Sequence, residues 1–132
     1  MQNHHPDDRL YHIEALWVRP LTATDVLIGV SHYAQSCLGE VLYVDLPESG
    51  AVLSRDAAFG TIESHKSVSD LVAPVGGEIL AVNDQVLAAP GLVNDDPYEN
   101  GWLIQVRLQE PIDVYGLLSA DAYAATLPPG DA

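Results

Sequence analysis

The side chain with the clearest chemical potential is Lys66, the only lysine in a chain of 132 residues. It lies in the polar run Glu63-Ser64-His65-Lys66-Ser67-Val68-Ser69-Asp70. A lysine at the tip of a β-hairpin projects into solvent and escapes the burial that turns a lysine into a Schiff-base catalyst. Such an amine is a good acceptor of an acyl group. We therefore predict that Lys66 is a site of covalent modification, and we assign no catalytic residue.

The turn that presents Lys66 is predicted from the segments on either side of it. Residues 59–64 and 67–72 are strand-like, and a connection of about two residues, His65-Lys66, joins them in a hairpin. Carboxylates on both arms can bind the basic surface of a modifying enzyme and leave the amine free. The residues expected to recognise a ligase or partner are Glu63, Ser64, His65, Ser67, Ser69 and Asp70. Alternatively, His65 and Ser67 are solvated turn residues without such a role.

The rest of the chain reads as short strands separated by turns. A helix capped by Ser31 and ended by Gly39 is predicted between two of them, and a short helix over 119–127 closes the chain. This pattern is typical of a β-sandwich or barrel. The further strands are predicted at 16–18, 26–30, 41–46, 79–82 and 102–108.

A short internal repeat in the sequence suggests that the domain has two similar halves. The segment Gly39-Glu40-Val41-Leu42-Tyr43-Val44 reappears 38 residues later as Gly77-Glu78-Ile79-Leu80-Ala81-Val82. The two copies lie on either side of Lys66 along the chain. We expect two quasi-symmetric halves packed face to face, with the Lys66 hairpin at one end of the molecule.

Composition narrows the class of protein. The chain has the size of one domain, so we predict a single domain over 1–132 in which residues 1–10 form a flexible N-terminal tail. The formal net charge of −14 argues against nucleic acid or an anionic membrane as partner, because phosphate contacts need clustered Lys and Arg. No apolar run reaches the roughly 20 residues that span a bilayer. We expect a soluble, cytoplasmic carrier or binding domain.

Cysteine and histidine give no sign of a metal site. Cys37 is the single cysteine, so an internal disulfide cannot form, and we expect its thiol to be buried. The spacing of the histidines does not demand a metal, and none is predicted; those considered are His4, His5, His12 and His32.

Several separated motifs resemble one known family. The segment Glu63-Ser64-x-Lys66-x-x-Ser69-Asp70, followed by Ala73-Pro74-Val75-x-Gly77-Glu78, resembles the lipoyl-attachment segment of the glycine cleavage system H protein family. Further matches occur in the family's order, so that the resemblance covers roughly residues 17–123. They are Trp17-Val18-Arg19, Ile28-Gly29-Val30, Tyr33-Ala34-Gln35, Leu38-Gly39, Leu92-Val93-Asn94-Asp95-Asp96-Pro97-Tyr98 and Gly101-Trp102-Leu103-Ile104.

The resemblance implies a fold, a cofactor and partners. The fold is a mainly β, lipoyl-type hammerhead sandwich (a barrel-sandwich hybrid) with a few short helices. Lys66 would carry lipoic acid in amide linkage, attached by a lipoate-protein ligase or a lipoyl transferase. A non-catalytic carrier of this kind moves an intermediate between enzymes. The expected partners are glycine decarboxylase, aminomethyltransferase and dihydrolipoamide dehydrogenase.

Departures from the family pattern leave two further alternatives. The family usually has small apolar residues beside the lysine, where this chain has His65 and Ser67, and a glutamate directly before the tryptophan, where it has Leu16. His32 replaces a family acidic residue, and Glu14 lies three residues before Trp17. A related branch, the lipoate-binding proteins of sulfur-oxidising bacteria, would serve a heterodisulfide-reductase-like complex. The alternative of another class is an unmodified regulatory or storage module.

Overall fold

The structure, a computed structural model, describes residues 6–12 and 16–127 of the chain. This part contains strands β1 Leu10–Tyr11, β2 Leu16–Pro20, β3 Asp25–Val30, β4 Val41–Asp45, β5 Val52–Leu53, β6 Ala58–Ser64, β7 Val68–Val72, β8 Gly77–Val82 and β9 Ile104–Leu108. The α-helices are α1 His32–Leu38, α2 Asp84–Ala88, α3 Leu92–Asp95 and α4 Ala120–Ala125, and a 3-10 helix spans Ile112–Tyr115. Every strand predicted from the sequence occurs, with ends shifted by up to two residues.

The strands form two antiparallel sheets. The large sheet has six strands in the order β1-β2-β3-β9-β8-β5, and the small sheet has three in the order β4-β6-β7. Side chains from both sheets enclose one core, for example Val26 and Ile28 from the large sheet and Ile62 and Leu71 from the small one. Burying each such side chain contributes on the order of 2 kcal/mol. The predicted mainly β sandwich with a few short helices is confirmed.

The two copies of the sequence repeat correspond to β4 and β8, which lie in different sheets. The sheets have six and three strands, so the two copies of the repeat do not belong to halves of equal size. In the described ranges, no helix is long and apolar enough to cross a membrane.

Helix α1 begins and ends as its flanking residues predict. Ser31 Oγ accepts a hydrogen bond from the Ala34 N–H at 3.2 Å, which satisfies one of the free N–H groups of the first turn. Gly39 ends the helix with a φ of +76°, a value that favours glycine. The expectation of a buried Cys37 thiol is wrong. Cys37 is exposed, and it lies on a seven-residue helix in which no residue is buried.

A second buried cluster ties the N-terminal segment to the rest of the molecule. It contains Tyr11, Trp17 and Tyr123, and the Arg9 guanidinium lies 4.7 Å from the centre of the Trp17 ring. Arg9 is buried and Leu10 begins β1, so the end of the predicted tail is packed, while residues 1–5 lie outside the described part. Burial raises the pKa of Tyr11 and Tyr123 above the ordinary range.

Candidate functional site

Lys66 lies at the tip of the hairpin formed by β6 and β7. The connection has three residues, His65, Lys66 and Ser67, one more than predicted. Its backbone is closed by the Ser64 N–H, which donates to the Ser67 carbonyl oxygen at 2.9 Å. The Lys66 N–H donates to Ser64 Oγ at 3.2 Å. Because these bonds hold the backbone, the exposed Lys66 side chain extends from a defined point.

The end of the Lys66 side chain lies near Gly39, at the C-terminus of α1. A Cβ atom placed on Gly39 would lie 3.5 Å from Lys66 Cε and 3.7 Å from Nζ. The carbonyl groups at a helix C-terminus favour a positive charge. Because Gly39 has no Cβ, the Lys66 side chain passes this position without meeting a side chain there.

A second contact joins the tip to the segment after α1. His65 Nε2 lies 3.3 Å from Glu40 Oε1, with side chains that are 69% and 72% exposed. An exposed pair of this kind contributes at most about 1 kcal/mol, and it is ionic only when the histidine is protonated. His65 therefore orients the tip weakly.

An apolar groove of about 280 Å³ lies between α1 and the inner side of the hairpin. Its walls come from β2, β3, α1, β6 and β7, and it adjoins the helix end near which the Lys66 side chain lies. Its polar lining residues include Ser69 and Asp70 near the hairpin tip. The lining consists of Leu16, Val30, Tyr33, Ala34, Cys37, Leu38, Ile62, Ser69, Asp70 and Leu71.

Asn94, from α3, holds the segment that follows α1. Its Oδ1 accepts from the Val41 N–H at 2.8 Å, and its Nδ2 donates to the Gly39 carbonyl oxygen at 2.7 Å. Nδ2 also lies 3.1 Å from Gln35 Oε1. One amide side chain therefore satisfies backbone groups on both sides of Glu40, beside the place where Lys66 ends.

The residues predicted to recognise a ligase or partner fall into two groups, four that are exposed and two that are buried or partly buried. Glu63 and Asp70 are exposed on the outer side of β6 and β7, and His65 and Ser67 are exposed in the connection. Ser64 is buried with its hydroxyl bonded to the connection, so its contact is internal. Ser69 is partly buried and lines the groove.

Other residues of the site could not be recognised from the sequence alone. Glu40 reaches the tip through its contact with His65, and Asn94 holds the backbone on both sides of Glu40; the sequence around each residue gives no sign of these contacts. Leu16, which departs from the family pattern, forms part of the groove wall. His32 lies elsewhere: its backbone N–H donates a hydrogen bond to the Tyr98 hydroxyl oxygen at 2.8 Å. In the described structure His32 is not among the groove-lining residues.

Comparison with known proteins gives likenesses over nearly the whole chain. A family model described as glycine cleavage H-protein matches residues 9–129. Glycine cleavage system H proteins of Bacillus cereus (strain AH187) and Bacillus anthracis (strain A0248) are 44% and 43% identical over 119 residues, covering 90% of this chain and 93% of each relative. A crystal structure of a glycine cleavage system H protein from Mycobacterium marinum matches with a TM-score of 0.83 and 36% identity, covering 92% of this chain and 97% of that one. All these matches span most of both chains.

Proposed function

The chain belongs to the glycine cleavage H-protein family, and from that premise we propose that Lys66 carries lipoic acid in amide linkage. Proteins of this family bear covalent lipoic acid on a lysine. The observation that carries the proposal is that this chain has a single lysine, and that its amine is exposed at the tip of a hairpin. The single lipoyl domain over 1–132 is part of the same proposal.

The protein is a non-catalytic lipoyl carrier of glycine cleavage, and partner enzymes act on it as a substrate. The sulfur-oxidation alternative is not favoured, because the matching family model and the relatives named above are glycine cleavage H proteins. The lipoyl-type fold predicted from the motifs agrees with the structural likeness.

The residues present fit a lipoyl group. Its carbon chain is apolar, and the groove beside Lys66 is lined mostly by apolar side chains such as Val30, Leu38 and Leu71. When bound, the group supplies a disulfide that accepts and releases an intermediate. Lys66 anchors it, and the groove walls would exclude water from its apolar part. Leu16 cannot form side-chain hydrogen bonds, and the partly buried Ser69 supplies a polar side chain in the groove.

We assign the partners by the same reasoning. A lipoate-protein ligase or lipoyl transferase would modify Lys66. Glycine decarboxylase, aminomethyltransferase and dihydrolipoamide dehydrogenase would then use the modified carrier, in the cytoplasm. The exposed carboxylates near the tip support contact with basic enzyme surfaces.

Intact mass tests the attachment. Protein treated with a purified lipoate-protein ligase, lipoic acid and MgATP should gain one lipoyl group, which peptide mapping should locate on Lys66. Lys66→Arg should gain none. The matched control Lys66→Arg/Arg107→Lys keeps one lysine per chain but places it at the exposed position 107 of β9, and it should also stay unmodified. A wild-type mass without the addition, or an addition to the displaced lysine, would contradict the proposal.

A transfer assay tests the pathway. Fully lipoylated protein should accept the aminomethyl group when incubated with glycine and glycine decarboxylase, giving a second mass increase. The apo protein is the control and should show no increase. Complete lipoylation without loading would argue against glycine cleavage.

A further inference from the structure

A group of large apolar side chains is exposed next to the hairpin tip. Tyr43 is 70% exposed and Val68 is 63% exposed, and Leu42 beside Tyr43 is 37% exposed. A register shift between Val41 and Tyr43 causes this arrangement on β4. The bulge leaves Val41 and Val44 buried while both residues between them are exposed. The small sheet therefore presents more apolar surface than regular alternation would give.

Strand pairing places these side chains in one row. Tyr43 pairs with Glu63 on β6, and Glu63 pairs with Val68 on β7. Adjacent strands lie about 4.8 Å apart, so the row spans roughly 10 Å. It crosses the sheet beside the connection, since Glu63 precedes Lys66 by three residues and Val68 follows it by two.

The charged side chains on the strands that form this row are all acidic. The neighbouring row contains Asp45, Thr61 and Asp70, so strands β4, β6 and β7 carry three carboxylates. None of these three described strands contains Lys or Arg. A complementary partner therefore offers an apolar recess bordered by basic side chains.

We propose that this outer face, defined by Tyr43, Glu63, Val68 and Asp70, is the docking surface for the enzyme that attaches the lipoyl group. The inference rests on the proposed function of Lys66. We choose the attaching enzyme as the partner because that enzyme must bring the lysine amine itself, on its short four-carbon stem, into its active site. It must therefore cover surface beside the tip. An enzyme that acts on the far end of the finished arm has no such requirement.

The attachment step uses an activated lipoyl donor, an acyl adenylate made from lipoic acid and ATP. The Lys66 ammonium loses one proton, and its nitrogen then attacks the acyl carbon. The amide C–N bond forms, the acyl–phosphate C–O bond breaks and AMP leaves. The nitrogen loses a second proton. Docking on the outer face holds the hairpin while the Lys66 stem extends into the active site of the enzyme.

Rates of attachment test the docking surface. We compare wild type, Tyr43→Ser/Val68→Ser and the control Val52→Ser, using a purified lipoate-protein ligase, lipoic acid and MgATP with intact mass as the readout. Val52 lies on β5 of the large sheet and is 65% exposed, so it matches Val68 in residue type and in exposure. The double variant should lose about tenfold or more in kcat/KM, mainly through KM, since exposed apolar anchors act in binding. Val52→Ser should match wild type. Thermal unfolding confirms that each variant is folded.

Competition gives a second readout that does not need the lysine to react. Lys66→Arg protein keeps the outer face and should inhibit modification of wild type competitively. Lys66→Arg/Tyr43→Ser/Val68→Ser should inhibit about tenfold more weakly. The charge component is tested by Glu63→Gln/Asp70→Asn, which should lower kcat/KM and flatten its dependence on salt.

The outcomes separate the two proposals. If wild type gains no lipoyl group on Lys66, the proposed attachment site is wrong and the docking inference falls with it. A second outcome concerns the docking surface alone. Wild type is modified normally, the folded Tyr43→Ser/Val68→Ser variant has the wild-type kcat/KM, and Lys66→Arg/Tyr43→Ser/Val68→Ser inhibits as strongly as Lys66→Arg. In that case the docking surface is wrong and the attachment site stands. A loss as large in Val52→Ser would also overturn the docking surface.

Discussion

Replacement of Asn94 tests whether one side chain holds the segment beneath Lys66. In Asn94→Ala, the Val41 N–H loses its acceptor at 2.8 Å and the Gly39 carbonyl oxygen loses its donor at 2.7 Å. A buried polar group left without a partner costs about 1–3 kcal/mol, and a typical hydrogen bond contributes about 1 kcal/mol net. Water can reach part of this partly exposed site. We therefore expect the free energy of unfolding to fall by about 2–4 kcal/mol.

Urea denaturation followed by tryptophan fluorescence measures this loss, because Trp17 is fully buried. Asn94→Asp gives a sharper comparison. It keeps an acceptor for the Val41 N–H but sets a carboxylate oxygen against the Gly39 carbonyl oxygen and Gln35 Oε1, so it should destabilise at least as much as Asn94→Ala. The exposed Asn100 serves as control, and Asn100→Ala should change stability by less than about 0.5 kcal/mol.

A fall below about 0.5 kcal/mol in Asn94→Ala would refute the reasoning, since it would mean that water replaces the amide without loss. Equal stability of wild type and Asn94→Asp would refute the assigned donor and acceptor.

Two further predictions concern stability. Gly60→Ala would drive its Cβ into the Asp45 carbonyl oxygen on β4 and should lower the free energy of unfolding by about 1–3 kcal/mol. Gly91 has a φ of −60° and open space around it, so Gly91→Ala should be neutral or stabilise the protein by up to about 1 kcal/mol. Equal urea midpoints for the two variants would contradict this prediction. Burial raises the pKa of Tyr98 to about 12, so the folded state keeps a proton that the unfolded chain releases near pH 10. This contribution is complete below about pH 10 and is lost as pH rises toward 12, so unfolding free energies should fall between about pH 10 and pH 12. A flat profile over this range would contradict the prediction.

Local signals in the sequence predicted the elements well. Ser31 caps α1 through its own hydroxyl, and the strand patterns on both sides of Lys66 produce the hairpin, because these features depend on neighbours in the chain. The bulge on β4 could not be predicted in this way. Strict alternation would place Leu42 and Val44 on one face, but Leu42 is exposed and Val44 buried. Tertiary packing decides that outcome.

The site was predicted less completely for the same reason. Lys66 stood out by residue type, whereas Asn94 acts on residues 53 to 59 positions earlier in the chain. Nothing in the sequence around Asn94 indicates those partners. Cys37 shows a related limit, since its residue type favours burial while its position on a short surface helix leaves it exposed.

The order of the strands has a consequence for behaviour at high concentration. Both edges of the large sheet are two-residue strands, β1 and β5, which offer little backbone for pairing with another molecule. The edges of the small sheet, β4 and β7, are longer, and each bears an exposed aspartate, Asp45 or Asp70. With a net charge of −14, two copies that approach edge to edge repel each other. The sheets that hold the hairpin in place are thereby protected from self-association and aggregation.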